Sequence, residues 1–489
     1  MTEANGWKAG CAAFFLCLSA ATANAAPSIT LAKKIGPPTS KILVSGSGFE
    51  PNVGVDIYFD RKDDALVVTN NEGEFQNVKI HAPRTAHPGE HWVTALERND
   101  DRGAQDPFVV CTDWPQFLHD NAHTGLDPYE NVLNTNNASK LTLKWRESSG
   151  NIASSAAVAN GVVYGGTGGT LSAFNSITGG QIWTFQAQSA IYTSPTILNA
   201  VVYFGTDGGY VYALKARNGM LLWSYVAPSS VRSSPTVADG VIYFGCSDGT
   251  FFALGAGTGT LLWKFDTGDH DAIESTPAIL NGKVYFGSDD GSLYVLDAKS
   301  GTLLWKWSTF SYIASAPAVS DGVVYFGSHD DNLYALNADD GFFLWSFSTG
   351  EIIYSSPVVA DGIVYLAGWD QNLYALDART GALLWQVVIG ATVNSPAVAN
   401  GVIYAASQNS LYALNAATGT ILWSYPTDGN NFSSPAVANG IVFLNSELTL
   451  YAFSLSWHEA AETWSSVSRP QLSTLRPNLG LQASHASSF

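Results

Sequence analysis

Two histidines, His119 and His123, stand four residues apart and could in principle do metal chemistry. On a helix this spacing would place both imidazoles on one face, where they could share a metal ion. Asn121 and Gly125 argue against a sustained helix, and no acidic or cysteine partner follows at a fixed spacing. We therefore expect these histidines to cap a turn, and the sequence predicts no metal site.

Acidic residues recur at regular places and raise the question of calcium. They are Asp289-Asp290, Asp330-Asp331 and Asp370. Each stands at the tip of an expected hairpin, where Asp is favoured by turn geometry. No D-x-[DN]-x-[DN]-G loop with a following Glu accompanies them. The pattern favours turn chemistry over calcium binding.

Familiar catalytic motifs are missing from the chain. It contains no G-x-S-x-G, C-x-x-C-H or H-E-x-x-H sequence, so it suggests neither a hydrolase nucleophile, a c-type haem nor a zinc protease. Cys111 and Cys246 could form a bridge in an exported protein. However, Cys246 stands where sister repeats have Ser288 and Ser328, which favours a small buried thiol instead.

The elements that must position any site come from a repeat of about 40 residues, a period typical of solenoids and propellers. Its clearest copy, 355–385, reads SSPVVADGIVYLAGWDQNLYALDARTGALLW. Four apolar runs are separated by three turn signals, at Asp361-Gly362, at 370–372 and at Thr380-Gly381. Each copy therefore predicts one antiparallel sheet of four strands.

The number of copies and the closure of the ring follow from two markers. The second strand is marked eight times, at Tyr164, Tyr203, Tyr243, Tyr285, Tyr325, Tyr365, Tyr404 and Phe443. The closing tryptophan of the fourth strand appears seven times, at Trp183, Trp223, Trp263, Trp305, Trp345, Trp385 and Trp423. An unassigned strand, 141–145, ends in Trp145 and could supply the missing outer strand to the blade that begins at Ser434. We predict an all-β, eight-bladed propeller closed in this way.

The segment 375–385, with its relatives at 413–423 and 295–305, resembles the tryptophan-docking repeat of the pyrroloquinoline quinone (PQQ)-like β-propellers. The resemblance covers roughly 113–454, and it implies that Trp145 and the seven closing tryptophans dock neighbouring blades. The family includes quinoprotein alcohol dehydrogenases and non-catalytic scaffolds such as the BamB-like lipoproteins, so the fold alone does not settle the function.

The dehydrogenase members of this family hold PQQ between a Trp and a disulfide of adjacent cysteines, with calcium bound by Glu and by Asn or Asp. This chain has no adjacent cysteines, and Glu274 is the only acid among its inner-ring positions. The resemblance therefore implies no catalytic residues and no cofactor, with PQQ and calcium expected only if the chain is a dehydrogenase after all.

Strand parity predicts one variable face, at which the second-to-third hairpins and the blade connections meet. Residues before each inner strand should surround the channel mouth there. Together with the hairpin residue Trp369, taken to replace a serine of the repeat, they give the candidate ligand- or partner-binding set Tyr192, Arg232, Glu274, Tyr354, Trp369 and Phe432. The other ring positions are Ala153, Ala314 and Val393, and an acidic loop at 269–271 lies beside them. Two alternatives stay open, namely drift in a solvated loop and pairing of Arg232 with Glu274.

The remaining chain suggests export and a second domain. Residues 1–25 read as a signal peptide, although an N-terminal helix retained as an anchor is the alternative. Residues 26–110 predict an immunoglobulin-like β-sandwich, 111–454 the propeller, and 455–489 a disordered or loosely attached tail. The net charge of −18 argues against nucleic acid and anionic membranes as partners, and no transmembrane segment is expected.

Three functions remain open from the sequence. The leading one is an exported, non-catalytic and monomeric scaffold that binds a protein or a glycan through the mouth face, in the periplasm, at the cell surface or in the medium. The second is an outer-membrane assembly factor of the BamB-like kind. The third is a PQQ-dependent alcohol or sugar dehydrogenase.

Overall fold

The computed structural model describes residues 26–148, 154–391, 394–428, 430, 433–456 and 468–475. The predicted signal peptide and most of the predicted tail lie outside these residues. Among the described residues no helix is long and apolar enough to cross a membrane.

The N-terminal domain is built from two sheets around one apolar core. Its strands are β1 (Ser28–Leu31), β2 (Ile35–Gly36), β3 (Lys41–Ser47), β4 (Gly54–Phe59), β5 (Lys62–Val68), β6 (Phe75–His81), β7 (Gly89–Glu97) and β8 (Gly103–Val110). One sheet has the order β1-β3-β6 and the other β2-β8-β7-β4-β5. Alternate residues such as Ile42, Val44, Ile57 and Phe108 are buried between them because strand side chains point to opposite faces. The immunoglobulin-like assignment of this domain stays a prediction.

The rest of the described chain is a β-propeller, as predicted. A short strand β9 (Leu126–Asp127), a 3-10 turn (Ala138–Lys140) and β10 (Thr142–Ser148) come first. Blade 1 is β11 (Ala157–Ala159), β12 (Val162–Thr167), β13 (Thr170–Asn175) and β14 (Gln181–Gln186); blade 2 is β15 (Thr196–Leu198), β16 (Val201–Gly205), β17 (Tyr210–Lys215) and β18 (Leu221–Val226). Blade 3 is β19 (Thr236–Ala238), β20 (Val241–Gly245), β21 (Thr250–Gly255) and β22 (Leu261–Asp266); blade 4 is β23 (Ala278–Leu280), β24 (Lys283–Gly287), β25 (Ser292–Asp297) and β26 (Leu303–Ser308).

The later blades repeat the same pattern. Blade 5 is β27 (Ala318–Ser320), β28 (Val323–Gly327), β29 (Asn332–Asn337) and β30 (Phe343–Ser348); blade 6 is β31 (Val358–Ala360), β32 (Ile363–Ala367), β33 (Asn372–Asp377) and β34 (Leu383–Val388). Blade 7 is β35 (Ala397–Ala399), β36 (Val402–Ser407), β37 (Ser410–Asn415) and β38 (Ile421–Pro426), with β9 added beside β35. Blade 8 is β39 (Ala436–Ala438), β40 (Ile441–Asn445) and β41 (Thr449–Ser454), completed by β10.

The pairing of β10 with β41 confirms the predicted closure. The two strands are antiparallel, with Thr142 opposite Ser454 and Ser148 opposite Thr449. Since β10 precedes blade 1 in the chain and completes the sheet of blade 8, a strand from the start of the propeller is held in its last blade by ordinary ladder hydrogen bonds. This arrangement covers the edge of β41 that would otherwise be exposed.

The conserved spacing from glycine to tryptophan in the repeat has a packing reason. The indole of Trp183 lies on the backbone of Gly219 in the next blade, so closely that a Cβ there would be 2.6 Å from the ring. Gly219 also has a positive φ of 67°, which suits glycine. The Trp183 Nε1–H donates to the Ala216 carbonyl at 2.8 Å. The same Trp-to-carbonyl bond recurs at Trp145, Trp223, Trp263, Trp345 and Trp385.

The segment 113–127 crosses the channel on the side away from the mouth and hydrogen-bonds to the inner strands. Inner-strand N–H groups donate to its carbonyls in blades 1, 2, 4, 5, 6 and 7: Val158 to Trp114, Ile197 to Pro115, Ile279 to Asn121, Val319 to Ala122, Val359 to Thr124 and Val398 to Gly125. We call this segment the channel strap. It lies along the inner strands of six blades, on the side of the propeller away from the mouth.

His119 and His123 belong to the channel strap and are not on a helix. Both have positive φ, at 71° and 58°. His123 is fully buried, with its Nε2 3.5 Å from Thr236 Oγ1, and burial lowers its pKa to about 4. The two histidines therefore do not share a helical face, and among the described residues no cluster of His, Cys, Asp and Glu has the arrangement of a metal site.

The N-terminal domain and the described part of the tail sit away from the mouth. Thr112 and Asn439, which lies in the hairpin between β39 and β40, exchange hydrogen bonds of 2.8 and 2.7 Å. Asn131 Nδ2 donates to the Ala86 carbonyl at 2.9 Å. In the tail, Gln105 Nε2 donates to the Pro470 carbonyl at 2.9 Å, so this short piece packs on the N-terminal domain.

Candidate partner-binding surface

The mouth face is built by a hydrogen bond that recurs in blades 2 to 8 between the second-to-third hairpin and the connector that precedes its blade. In blade 5 the His329 N–H donates to the Tyr312 carbonyl at 2.9 Å, and in blade 4 the Asp289 N–H donates to Ala272 at 2.9 Å. The equivalent hairpin residues in the other blades are Asp207, Ser247, Trp369, Gln408 and Glu447. These seven positions form an outer ring around the predicted inner ring.

Trp369 occupies the hairpin position that the sequence comparison gave it. Its N–H reaches the Ile352 carbonyl at 3.5 Å, so Trp369 is equivalent to Asp289 and His329. The serine at this position is Ser247 of blade 3, whose N–H makes the same bond to the Ser230 carbonyl. Trp369 therefore stands where blade 3 has a serine, on the hairpin that faces the mouth.

Three predicted residues, Tyr192, Arg232 and Glu274, come together in the structure. The Arg232 guanidinium lies over the Tyr192 ring, 5.4 Å from its centroid. Its Nε donates to Asp207 Oδ1 at 2.9 Å, and its Nη1 lies 3.5 Å from Glu274 Oε1. The pairing of Arg232 with Glu274 that the sequence left open is thus present. Arg232 is held by two carboxylates and an aromatic face.

A second group at the mouth is aromatic. The Tyr354 and Trp369 rings have centroids 5.6 Å apart, and Tyr354 packs edge-on to His329 at 4.2 Å. On the other side of His329 lies Tyr312, at 5.8 Å. Phe310 stands next to Tyr312 in the same connector and is 97% exposed. We call these five residues, Phe310, Tyr312, His329, Tyr354 and Trp369, the aromatic patch.

Phe310 has no structural role in its blade. It takes the place of Gly268 and Gly350 in the neighbouring connectors, whose preceding threonines make the same bond to a hairpin carbonyl. Exposed aromatic side chains that the repeat does not need are characteristic of binding surfaces. Sequence reasoning missed Phe310, Tyr312 and His329, because the repeats were compared at the inner-strand positions and at Trp369 and not along the whole of each connector and hairpin.

Acidic groups border the aromatic patch. Burial, together with the charges of Glu274, Asp271 and Asp290, raises the pKa of Asp289 from 3.8 to about 6. The charge of Glu274 also acts on His329, whose pKa is nevertheless lowered by burial. We call Asp271, Glu274 and Asp289 the acidic group, and it lies in the blade next to that of His329.

Other aspartates at the mouth have structural partners, as the turn interpretation expected. Asp290 Oδ2 accepts from the Tyr294 hydroxyl at 2.5 Å and Asp330 Oδ2 from Tyr334 at 2.8 Å. Asp370 accepts in the same way from Tyr374. Each of these carboxylates therefore fixes a hairpin to its own third strand.

Two further sequence predictions concern residues away from this surface or outside the described chain. Phe432, Ala153 and Val393 lie outside the described residues.

Cys111 and Cys246 are free and buried, and burial raises the pKa of Cys111 to about 12, so neither thiol is poised as a nucleophile.

The fold and the docked tryptophans define a PQQ-like β-propeller. More particularly, the chain belongs to the family of the outer membrane protein assembly factor BamB, whose sequence profile matches residues 135–263, 167–311, 252–395 and 370–486. A comparison with curated proteins found no significant match.

Solved structures share the fold at low identity. BamB from Moraxella catarrhalis is 19% identical with a TM-score of 0.57, over 64% of this chain and 99% of that one. Quinohemoprotein alcohol dehydrogenase from Comamonas testosteroni is 15% identical with a TM-score of 0.60, over 70% and 80%. The computationally designed Ika8 protein is 19% identical with a TM-score of 0.58, over 63% and 96%. At these identities the likeness concerns the fold alone.

Proposed function

We propose that this protein is a non-catalytic scaffold that binds a protein partner through the mouth face of its propeller. The observation that carries the proposal is the aromatic patch, above all Phe310, which is almost fully exposed at a position where neighbouring blades have glycine. Aromatic side chains supply large contact areas at low entropic cost and dominate many protein interfaces.

The arrangement of the two faces supports this choice. The channel strap and the N-terminal domain both contact the face opposite the mouth. A partner that approaches the propeller along its axis therefore meets the mouth face without displacing either of them. The N-terminal domain would act as a spacer that holds the propeller by its far side, in an exported protein.

The family match favours outer-membrane protein assembly as the setting of such a scaffold, since its profile is that of the assembly factor BamB. A glycan ligand would also use exposed aromatic rings, and we rank it below a protein because this family match points to protein partners. The dehydrogenase alternative is disfavoured by the absence of adjacent cysteines from the sequence.

Site-specific photo-crosslinking tests the proposal. Benzoylphenylalanine replaces Phe310 or Tyr312 on the mouth face, and Asp321 or Asp239 on the opposite face, in the full-length protein expressed in its source cells. We expect protein adducts from the mouth positions and none from the opposite positions. Adducts confined to the opposite face would overturn the proposal.

A further inference from the structure

We propose that the aromatic patch and the acidic group together bind a basic polypeptide segment, in which lysine or arginine side chains enter the mouth. This inference rests on the proposed function and names the chemistry of the partner. It is argued from the distribution of charge over the two faces, the neutrality of the aromatic patch and the excess of carboxylates over cations beside it.

The mouth face is almost purely acidic. Among the described residues its hairpins and connectors carry the acids Asp207, Asp248, Asp269, Asp271, Glu274, Asp289, Asp290, Asp330, Asp331, Glu351, Asp370, Asp428 and Glu447. In the described hairpins and connectors of this face, one residue, Arg232, is a lysine or arginine. It is already bound by Asp207 and Glu274. A positively charged partner would therefore be attracted to this face.

The opposite face has a mixed composition. Its hairpins carry Asp239, Asp297, Asp321, Asp339, Asp340, Asp361 and Asp377, but also Lys215, Arg217, Lys283, Lys299 and Arg379. Lys283 is paired there with Asp339 at 2.7 Å. The opposite face thus carries five cations beside seven acids, whereas the described hairpins and connectors of the mouth face carry one cation beside thirteen acids, with Arg146 of β10 acting on Asp428. A uniform acidic background would not produce this difference.

Within the acidic group, Glu274 is paired with Arg232, whereas no cation is recorded beside Asp271 and Asp289 among the described residues. Asp290 and Asp330 accept hydrogen bonds from tyrosines, whereas Asp289 is half-buried beside Glu274, Asp271 and Asp290. Like charges held this close destabilise one another, and an incoming cation would relieve that repulsion. The binding of an ammonium or guanidinium group is thus favoured by the site as built.

The aromatic patch adds faces on which such a cation and its apolar neighbours can pack. Trp369 and Tyr354 are both more than a third exposed, and a cation over a Trp or Tyr face is attracted by the ring. His329 lies between Tyr312 and Tyr354, and its lowered pKa keeps it neutral, so it does not repel a cation. Its Nε2 is buried without a hydrogen-bond partner among the described residues.

The two parts are close enough to serve one ligand. They occupy blades 4, 5 and 6 in succession, and Glu274 lies near enough to His329 to influence its pKa. The Phe310 N–H donates to Asp330 Oδ2 at 3.3 Å, which ties the most exposed aromatic to the same hairpin. An extended segment with alternating basic and apolar side chains matches this sequence of acids and rings.

Fluorescence anisotropy with two labelled octapeptides, alternating Lys-Leu and alternating Glu-Leu, tests the inference on the full-length protein. We expect the Lys-Leu peptide to bind and the Glu-Leu peptide not to bind. The double variant E274Q/D289N should weaken Lys-Leu binding about tenfold, and Trp369→Ala by a similar factor. Raising the salt concentration should weaken it further, because exposed charges are screened.

A matched control separates the site from net charge. The double variant D239N/D321N removes the same two charges from the opposite face at positions with φ of 50° and 49°, where asparagine is well tolerated. It should bind the Lys-Leu peptide like the unchanged protein. Equal loss in both double variants, or equal binding of both peptides, would overturn the inference.

The failure of this inference is distinguishable from that of the proposed function. If a partner crosslinks at Phe310 but its binding is unchanged in E274Q/D289N, the inference of a basic segment is wrong and the proposed scaffold function stands. If neither peptide binds and no partner crosslinks at the mouth, both the inference and the proposed function are wrong. A melting temperature no lower than that of the unchanged protein must accompany each variant for its result to count.

Discussion

The Trp145 Nε1–H donates a hydrogen bond to the carbonyl of Ser176 across 3.0 Å, which joins the outer strand of blade 8 to the last turn of blade 1. The same indole covers Gly179, where a Cβ would be 2.9 Å from the ring. Trp145 therefore makes, between blade 8 and blade 1, the contact that Trp183 makes between blade 1 and blade 2.

Deletion of residues 113–145 should abolish cooperative unfolding. The deletion removes the channel strap, most of the strand that completes blade 8 and the docking of Trp145, and each buried aromatic contributes on the order of 200 Å² of buried area. Differential scanning calorimetry on the shortened protein measures this. A single transition at the parent temperature would show that closure does not depend on this segment.

The single substitution Trp145→Ala is a milder form of the same test. It should lower the free energy of unfolding by about 3 to 5 kcal/mol, in the range of large aromatic truncations. Trp423→Ala, for which no equivalent indole hydrogen bond is found among the described residues, provides a comparison within the same repeat. Urea denaturation of both variants gives the difference.

Asp289→Asn should stabilise the protein at neutral pH. The pKa of Asp289 is raised from 3.8 to about 6, so the folded protein binds more protons than the unfolded chain between these values, and stability falls as pH rises through this window. Asparagine has no ionisable group, so the variant does not lose this stability as pH rises. Its melting temperature should exceed that of the unchanged protein at pH 7.5, and the difference should shrink towards pH 4. A difference that is constant with pH would contradict the assignment.

Purified protein mixed with quinone, calcium and a dye acceptor should show neither bound-quinone absorbance nor dye reduction above a boiled control. The reason is chemical, since the sequence offers no adjacent cysteines and only Glu274 as an inner-ring acid. Quinone binding with one-to-one stoichiometry would reopen the dehydrogenase alternative, with Glu274 as the first ligand to replace.

Much of the fold could be predicted because it is repeated. The glycine, the tryptophan and the alternating apolar strands recur in each copy, so tertiary contacts such as Trp183 on Gly219 follow from the period. Closure by β10 was predictable for the same reason, since Trp145 stands as an unassigned copy of the closing residue.

The site was predictable only in part, because its residues are those that depart from the repeat. Tyr192, Arg232 and Glu274 were found from the inner strands, and the structure brings them together. Phe310 and His329 belong to connectors and hairpins whose register depends on backbone hydrogen bonds that no apolar pattern reveals. The path of the channel strap through six blades is likewise a matter of backbone bonding and left no periodic signal.

The most direct measurement of the central claim is the affinity of a crosslinked partner, once purified, for variants of the mouth face. Tyr192→Ala and Tyr354→Ala should each weaken binding by roughly 1 to 3 kcal/mol with little change in melting temperature, because both side chains are exposed. Asp321→Ala on the opposite face should leave the affinity unchanged. If Asp321→Ala abolishes binding while both tyrosine variants bind normally, the partner does not use the mouth face.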